Sequence, residues 1–420
     1  MTAKPRVLVL GGGFAGLETA YLLRMKLHDA VDIGVVSDSE TFLFKPNTIY
    51  IPFGGDEAPL RIPLAQPMYR RHIDFHQDRV LGVDPDRKLV DLGSGSALPY
   101  DFLVIGTGAT MRPDEIPGLG EHASTIWTPT EMRSLGVRLQ VLRERARRGE
   151  HVDVLFLVPP NNKCAGPLYE IVFMLETWLR RQGIREHVDI TYSTYERSFI
   201  HAFGPRLHTV VTEEFADRGI VGHTGEIVDK VGDGEVAYTD GTTRHFDELI
   251  SFPPYAAALA YEGLPADDRG FLTCEQTTRQ VEGHPDVYAP GDAGDFPVKQ
   301  AFLAFLQGDT VAAHLAGRIA GTGFDNPFDP VSMCVMEMFD KATFAQVPLR
   351  LTGDPTDPVE VRPGAGDDYK VGVSPVWRLG KKLLGIYLPM RFRAGEPFHA
   401  GAAWQLMDVG LKGMSGVLAD

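Results

Sequence analysis

Cysteine is scarce in this chain of 420 residues. The three present, Cys164, Cys274 and Cys334, lie far apart and are odd in number, which excludes a disulfide framework and the paired spacings of structural zinc. A CxxCH motif is absent, so the chain carries no c-type haem of its own. Positive charge is also in deficit. Against 41 Lys and Arg stand 56 Asp and Glu, a formal charge of −15, and a surface of that sign repels phosphate backbones, so no nucleic acid is expected as a partner. No window reaches 18 uninterrupted apolar residues, which argues against a spanning helix. Nor does a basic stretch lead into an apolar core at the N-terminus, so a signal peptide is not expected and the cytoplasmic side is the expected location.

What is present describes a folded α/β protein: 44% apolar residues, with 45 Gly and 30 Pro. "RVLVLGGGFAGLETAYLLRMKL" reads as a buried strand from Arg6 to Leu10, a turn carrying Gly11, Gly13 and Gly16, and an amphipathic helix to about Leu27. In such a βα unit the first glycine permits the tight turn. The second lets backbone approach a pyrophosphate, and the third lets helix and strand pack closely. The next strand, in "VDIGVVSDSE", puts Ser37 where a ribose-binding acid is usual, with Asp38 one residue later. A second strand signal, "YDFLVIGTGAT", ends in Gly106 and Gly108, and a third, "DVYAPGDAGDFP", ends in Gly291 and Asp292.

The stretch from about 150 to 275 reads as a second α/β block, with "TDGT" as a hairpin turn. Its first strand should be followed by another glycine-rich turn if the block binds a nicotinamide nucleotide. Pro159, Pro160, Asn161, Asn162, Lys163 and Cys164 stand there instead. Two prolines remove N–H donors and the side chains crowd the approach, so a pyridine nucleotide is not the expected reductant. Pro167 suits the first turn of a helix and Gly183 its exit, so Cys164 falls just ahead of a helix N-terminus. The helix dipole and Lys163 are expected to lower its thiol pKa; the alternative is a buried cysteine serving as a small apolar residue. Glu170, one turn into the helix, reads either as a proton acceptor near the thiol or as an acid that complements the dipole. Cys274, in "RGFLTCEQTTRQ", is expected only to pack. His72 and His76 of "RRHIDFHQD" lie in strand-like text, where a spacing of four does not make a zinc motif, so no metal is expected.

The three glycine segments together resemble the FAD-binding motifs of the two-dinucleotide-binding-domain flavoproteins. Within them "NKCAGPLYE" resembles the motif of sulfide:quinone oxidoreductases and of the flavoprotein subunit of flavocytochrome c sulfide dehydrogenase. The resemblance covers nearly the whole chain. It implies two Rossmann-like dinucleotide-binding domains of the FAD/NAD(P)-binding type, 1–115 with 276–323 for FAD and 116–275 with the altered turn, followed by a smaller C-terminal region, 324–420. It implies FAD held by Gly11, Gly13, Phe14, Ala15, Gly16, Ser37, Asp38, Lys45 and Pro46 of "LFKPN", Thr107, Gly108, Gly291, Asp292 and Lys299. It also implies catalytic roles for Cys164, Glu170, Cys334 of "SMCVMEMFDKATFAQ" and His201 of "ERSFIHAFGP". The third cysteine that many quinone-linked members carry between the first two FAD segments is missing, which places this chain nearer a two-cysteine form.

The implied reaction is oxidation of sulfide to polysulfide or sulfur by a cysteine pair, with electrons passing through FAD to membrane quinone. The alternatives are transfer to a separate cytochrome c and a type II NADH:quinone oxidoreductase. In "RLGKKLLGIYLPMRFRAG", Lys381, Lys382, Arg391 and Arg393 bound an apolar segment. That pattern suits a lipid headgroup boundary and hence a peripheral membrane protein, with Pro389 expected to interrupt the helix. The oligomeric state is open; a homo-oligomer is compatible with the sequence.

Overall fold

The computed structural model describes residues 4–419. Its first sheet is drawn from two separated stretches of chain. Strand Arg6–Leu10 lies at the centre, parallel to Asp32–Ser37 on one side and to Phe102–Ile105 on the other; Asp74–Gln77 extends one edge and His284–Tyr288 the other. Leu10 pairs with both Val36 and Ile105, so Gly11, Ser37 and Gly106 leave the sheet at one carboxyl edge, where open α/β sheets bind ligands. Helices Phe14–Leu27 and Ala301–Ala320 pack against one another beside it.

The second sheet is also parallel, in the order Ala123–Thr125, Glu248–Ser251, Val152–Val158, Val188–Thr194, Ile220–His223. Strand Val152–Val158 is buried on both faces from Val154 onward, which explains the unbroken apolar run from Val154 to Val158. It ends at the two prolines and leads into helix Gly166–Gln182, whose exit residue Gly183 has the left-handed backbone (φ 68°) expected of it. The "TDGT" turn does join an antiparallel pair, Glu235–Tyr238 with Thr243–His245.

The remaining chain forms a small antiparallel sheet and two helices. The hairpin of Val331–Glu337 and Ala342–Leu351 is flanked by Val359–Val361 and Lys370–Ser374. Trp377, wholly buried, stacks on Phe344 with ring centroids 4.2 Å apart. Helix Pro375–Arg393 runs without a break through Pro389, contrary to expectation. The donor that proline lacks would have met the carbonyl of Gly385, and burial of Tyr387, Leu388 and Phe392 holds the turn together. The opposite face of this helix is apolar and exposed. Val376, Leu379, Leu383, Ile386 and Met390 recur every three or four residues along it, and Leu406, Val409 and Val417 are exposed on the following helix, Ala402–Leu418. Among the described residues no helix is long and apolar enough to cross a membrane.

Candidate active site

One cavity of about 660 Å³ joins the parts of the molecule that the sequence analysis singled out. Its wall carries Gly11, Gly13, Phe14, Ala15, Ser37, Asp38, Lys45, Pro46, Thr107 and Gly108, then Asp292 and Lys299, the group Cys164, Glu170, Cys334 and Lys381, and an aromatic part with Phe398 and Trp404. Gly16 and Gly291 are off the wall and act by packing. A Cβ on Gly16 would sit 2.1 Å from the Gly11 carbonyl oxygen, and one on Gly291 would sit 2.9 Å from the Ala15 Cβ.

The glycine end is built for an anion. Helix Phe14–Leu27 is capped by Gly13 with no side-chain acceptor, which leaves first-turn N–H groups free to meet a pyrophosphate. Gly11 has φ 106° and its missing Cβ would lie 2.2 Å from the Gly106 carbonyl oxygen, so no other residue fits the turn. Further along, Asp292 lies between two lysines. Lys45 sits 3.2 Å above the Trp127 ring and Lys299 3.9 Å from the Phe271 ring. Burial lowers both ammonium groups to about 8, opposed by Asp292, and burial raises the Asp292 carboxyl, opposed by both lysines. A cavity of this size, with backbone donors at its glycine turn and a buried acid opposed by two buried lysines, fits a dinucleotide such as FAD.

The altered turn is closed by its own side chain. Asn162, buried, donates through Nδ2 to the carbonyls of Phe252 (2.9 Å) and Pro253 (3.2 Å), and its Oδ1 accepts the Cys164 N–H at 3.0 Å. Tyr195 binds the Asn162 carbonyl at 3.0 Å. The asparagine therefore holds the cysteine loop rigidly where a glycine turn would have left backbone open. In the sequence Asn162 reads only as one of the side chains that crowd the altered turn, although an asparagine readily hydrogen-bonds the backbone two residues on.

Cys164 precedes helix Gly166–Gln182 as expected, and the Gly166 N–H does favour its thiolate, but burial outweighs this and pushes the thiol up, with Cys334 and Asp292 adding to the rise. Cys334 is pushed up to about 12 by burial and by Glu170, with Lys381 opposing. The expected lowering of the Cys164 pKa is thus reversed. A single helix end and a lysine cannot offset burial of the thiol, and burial lowers Lys163 itself. Both thiols are free, both are partly accessible, and both face the same cavity. Cys274 is buried elsewhere and donates its S–H to the Leu272 carbonyl at 3.2 Å, a packing residue.

Glu170 accepts the Glu337 N–H at 2.7 Å and an ion-pair hydrogen bond from Lys381 Nζ, which also donates to the Val335 carbonyl at 2.9 Å. Burial raises the Glu170 carboxyl and Lys381 opposes this. Lys381 and Arg391 are both buried, so they do not reach toward lipid headgroups as their positions suggested; Arg391 binds the carbonyls of Pro397 and Ala400. The partners of both residues lie in other elements or later in the chain, which a run of neighbouring residues does not disclose. His201 is absent from the cavity wall. Its ring meets Ser198 at 2.9 Å and Asp357 at 3.2 Å, so it joins the second sheet to a C-terminal loop rather than to the thiols.

The turn of the Cys334 hairpin is clamped to the Cys164 helix. Thr177 donates to the Met338 carbonyl at 2.7 Å, and buried Arg218 bridges Glu176 (2.7 Å) and Asp340 (3.0 Å).

The family model for pyridine nucleotide-disulphide oxidoreductases matches residues 5–140. A sulfide-quinone reductase of Aquifex aeolicus is 31% identical over 239 residues, 56% of this chain and 54% of that protein. The match therefore spans about half the length of that relative. The mitochondrial sulfide:quinone oxidoreductase of Mus musculus is 24% identical over 314 residues, covering 71% and 67%. The crystal structure of the Aquifex aeolicus sulfide:quinone oxidoreductase superposes with a TM-score of 0.84 at 22% identity, covering 98% of this chain and 96% of that one. In sequence and in fold the chain resembles the sulfide:quinone oxidoreductases. The α/β fold with two parallel sheets is the one expected, and FAD, which these flavoproteins bind, suits the glycine end of the cavity. A more distant match is an external NAD(P)H-ubiquinone oxidoreductase of Solanum tuberosum, 23% identical over 323 residues, covering 69% of this chain and 55% of that protein.

Removal of Lys381 leaves a buried carboxylate without its partner, and Lys381→Met is expected to destabilise the protein by about 3–5 kcal/mol. The double variant Glu170→Gln/Lys381→Met removes both charges and recovers much of that loss. Urea unfolding of the three proteins at pH 7 checks the order.

Proposed function

We propose that the protein oxidises sulfide at Cys164 and Cys334 and passes the electrons to a membrane quinone. The observation that carries this reading is the meeting of two thiols, 170 residues apart in sequence, on the wall of one cavity that also carries the glycine turn suited to FAD. In the oxidised form the two sulfurs are joined directly or through bridging sulfur. Hydrosulfide attacks one of them, a new S–S bond forms, the bond between the cysteines breaks, and the other sulfur leaves as thiolate. FAD, when bound, supplies a two-electron acceptor. A second hydrosulfide attacks the outer sulfur of the cysteine persulfide and carries it off as hydrodisulfide, the start of a polysulfide, which frees that cysteine as thiolate; the two cysteines then re-form their bond as their electron pair passes to that acceptor. Glu170, held by Lys381 and the Glu337 N–H, takes the proton liberated from sulfide. Because burial raises both thiols, the reduced cysteines are held as neutral thiols in this cavity, and a thiolate forms there only as the leaving group of the exchange.

The acceptor end supports quinone. Phe302, Phe305, Phe398 and Trp404 line an apolar pocket, and the exposed stripe from Val376 to Met390 lies on the helix that also supplies Lys381 and Leu384 to the wall. A helix that lays this face into the headgroup boundary brings the pocket to the lipid from which quinone comes. A cytochrome c acceptor needs no such face. The NADH-linked reading is disfavoured by the turn that Asn162 closes.

Two measurements test the proposal. Sulfide added anaerobically should bleach the flavin of the holoenzyme, and Cys164→Ser or Cys334→Ser should slow bleaching by about a hundredfold or more. NADH should not bleach it; bleaching by NADH, or by sulfide in both serine variants, contradicts the mechanism. Separately, the wild type should sediment with lipid vesicles, and Leu383→Glu/Ile386→Glu should stay in solution with its sulfide-dependent bleaching intact.

A further inference from the structure

A second cluster of ionisable groups lies behind the aromatic part of the cavity wall and has no part in the sulfur chemistry. Glu18 on helix Phe14–Leu27, Asp309 on helix Ala301–Ala320 and His399 ahead of the last helix bring their ligand atoms within 4.8 Å of one another. The two helices approach closely at Gly308, where a Cβ would lie 3.1 Å from the Ala15 carbonyl oxygen and 3.2 Å from the Glu18 Cβ. Glu18 is wholly buried and accepts the N–H groups of Phe398 (2.6 Å) and His399 (3.0 Å). Asp309 Oδ2 meets His399 Nδ1 at 2.5 Å, and its other oxygen is buried with no partner. The His399 ring stands among four aromatics of the cavity wall, with centroids 5.3 Å from Phe302, 5.8 Å from Phe305, 4.7 Å from Phe398 and 4.6 Å from Trp404.

Two carboxyl groups this close, and this far from water, cannot both ionise. Burial and Asp309 raise Glu18 to about 8, burial raises Asp309 to about 7, and burial lowers His399 to about 4. Lys26 acts on Asp309, Asp408 on His399, and Tyr387 from the neighbouring helix faces Glu18; Arg391 beside them is paired with Glu396. At neutral pH the cluster therefore keeps a proton, with a neutral imidazole between it and the aromatic wall.

We propose that Glu18, Asp309 and His399 form a proton relay that supplies the reduction of quinone at the aromatic end of the cavity. The relay rests on the quinone reading above. Hydrosulfide, in going to sulfur at the zero oxidation level, releases two electrons and one proton. Quinone takes up two electrons and two protons, so one proton must come from water. The carboxyl pair gives it through His399, and water reprotonates the pair. None of the three touches the reacting thiols; they are positioning and relay residues.

The test uses the holoenzyme, reduced by sulfide and then reoxidised by decylubiquinone in stopped flow from pH 6 to 9. The wild-type reoxidation rate should fall as pH rises through the range in which the pair loses its proton. Asp309→Asn and His399→Phe, the latter keeping an aromatic ring, should slow reoxidation by about tenfold or more and flatten that profile, while sulfide reduction stays within about twofold. Asp309→Glu should restore the pH dependence. Infrared difference spectra should show a protonated carboxyl at pH 7 that Glu18→Gln or Asp309→Asn removes, a readout independent of turnover. Unchanged reoxidation, an equal loss in both half-reactions, or a stoichiometric metal ion bound by the three residues would overturn the relay. If the wild type is reduced by sulfide but inert to quinone while the carboxyl band is present, it is the assignment of the acceptor that fails, and the relay's role with it.

Discussion

The buried pair of Glu170 and Lys381 is the contact on which the site depends. Glu170 stands on the helix that follows Cys164, Lys381 on the C-terminal helix with the exposed apolar face, and both bind the strand that carries Cys334, through the Glu337 N–H and the Val335 carbonyl. Three parts of the chain that are distant in sequence are thereby fixed around one cavity. A buried ion pair contributes little net stability, because desolvation offsets most of the attraction. What it contributes here is position, since neither charge can be left alone in that enclosure. Arg218 performs a related service at the far end of the hairpin, where it joins Glu176, Glu214 and Asp340.

Enclosure also explains the electrostatics. It raises both thiols, Glu170 and Asp292, and it lowers Lys45 and Lys299. Each shift disfavours the charged form, and each is opposed by a specific neighbour of opposite sign where one exists. A cavity of this kind favours neutral or bonded sulfur over free thiolate, and it favours protons held in pairs over protons exchanged with water. The disulfide-type chemistry proposed for the two thiols and the proton delivery proposed behind the aromatic wall are two uses of the same exclusion of solvent.

The sequence was most legible where the governing constraint is local. Gly11 and Gly16 act across a handful of residues, so the first strand, turn and helix could be read from their spacing, and the register of the strands at Gly106 followed. Cys164 ahead of a helix was visible for the same reason, from Pro167 and Gly183. The direction of its pKa was not. A helix end is a local feature, whereas burial and the neighbouring Cys334 and Asp292 are brought in by the fold. Lys381 and Arg391 looked like the basic border of an apolar segment because their carboxylate and carbonyl partners lie in other elements or beyond the helix. Pro389 looked like a breaker because the packing of Tyr387 and Phe392 cannot be seen in one dimension. His201 matched a motif, yet Ser198 and Asp357 claim its ring. The Glu18 cluster carried no motif at all, and Asn162 and Lys381 were visible only as part of an altered turn and of a basic border; the importance of all three comes from burial.

The claim underlying this account is that the sulfurs of Cys164 and Cys334 become bonded to one another, or bridged by sulfur, during turnover. Peptide mass mapping of the holoenzyme, quenched with an alkylating agent during oxidation of sulfide by quinone, addresses this directly. The account predicts a linked pair of peptides holding Cys164 and Cys334, heavier by whole sulfur atoms in a fraction of molecules, with Cys274 found as an unlinked thiol. Recovery of Cys164 and Cys334 as separate alkylated residues throughout turnover would contradict it.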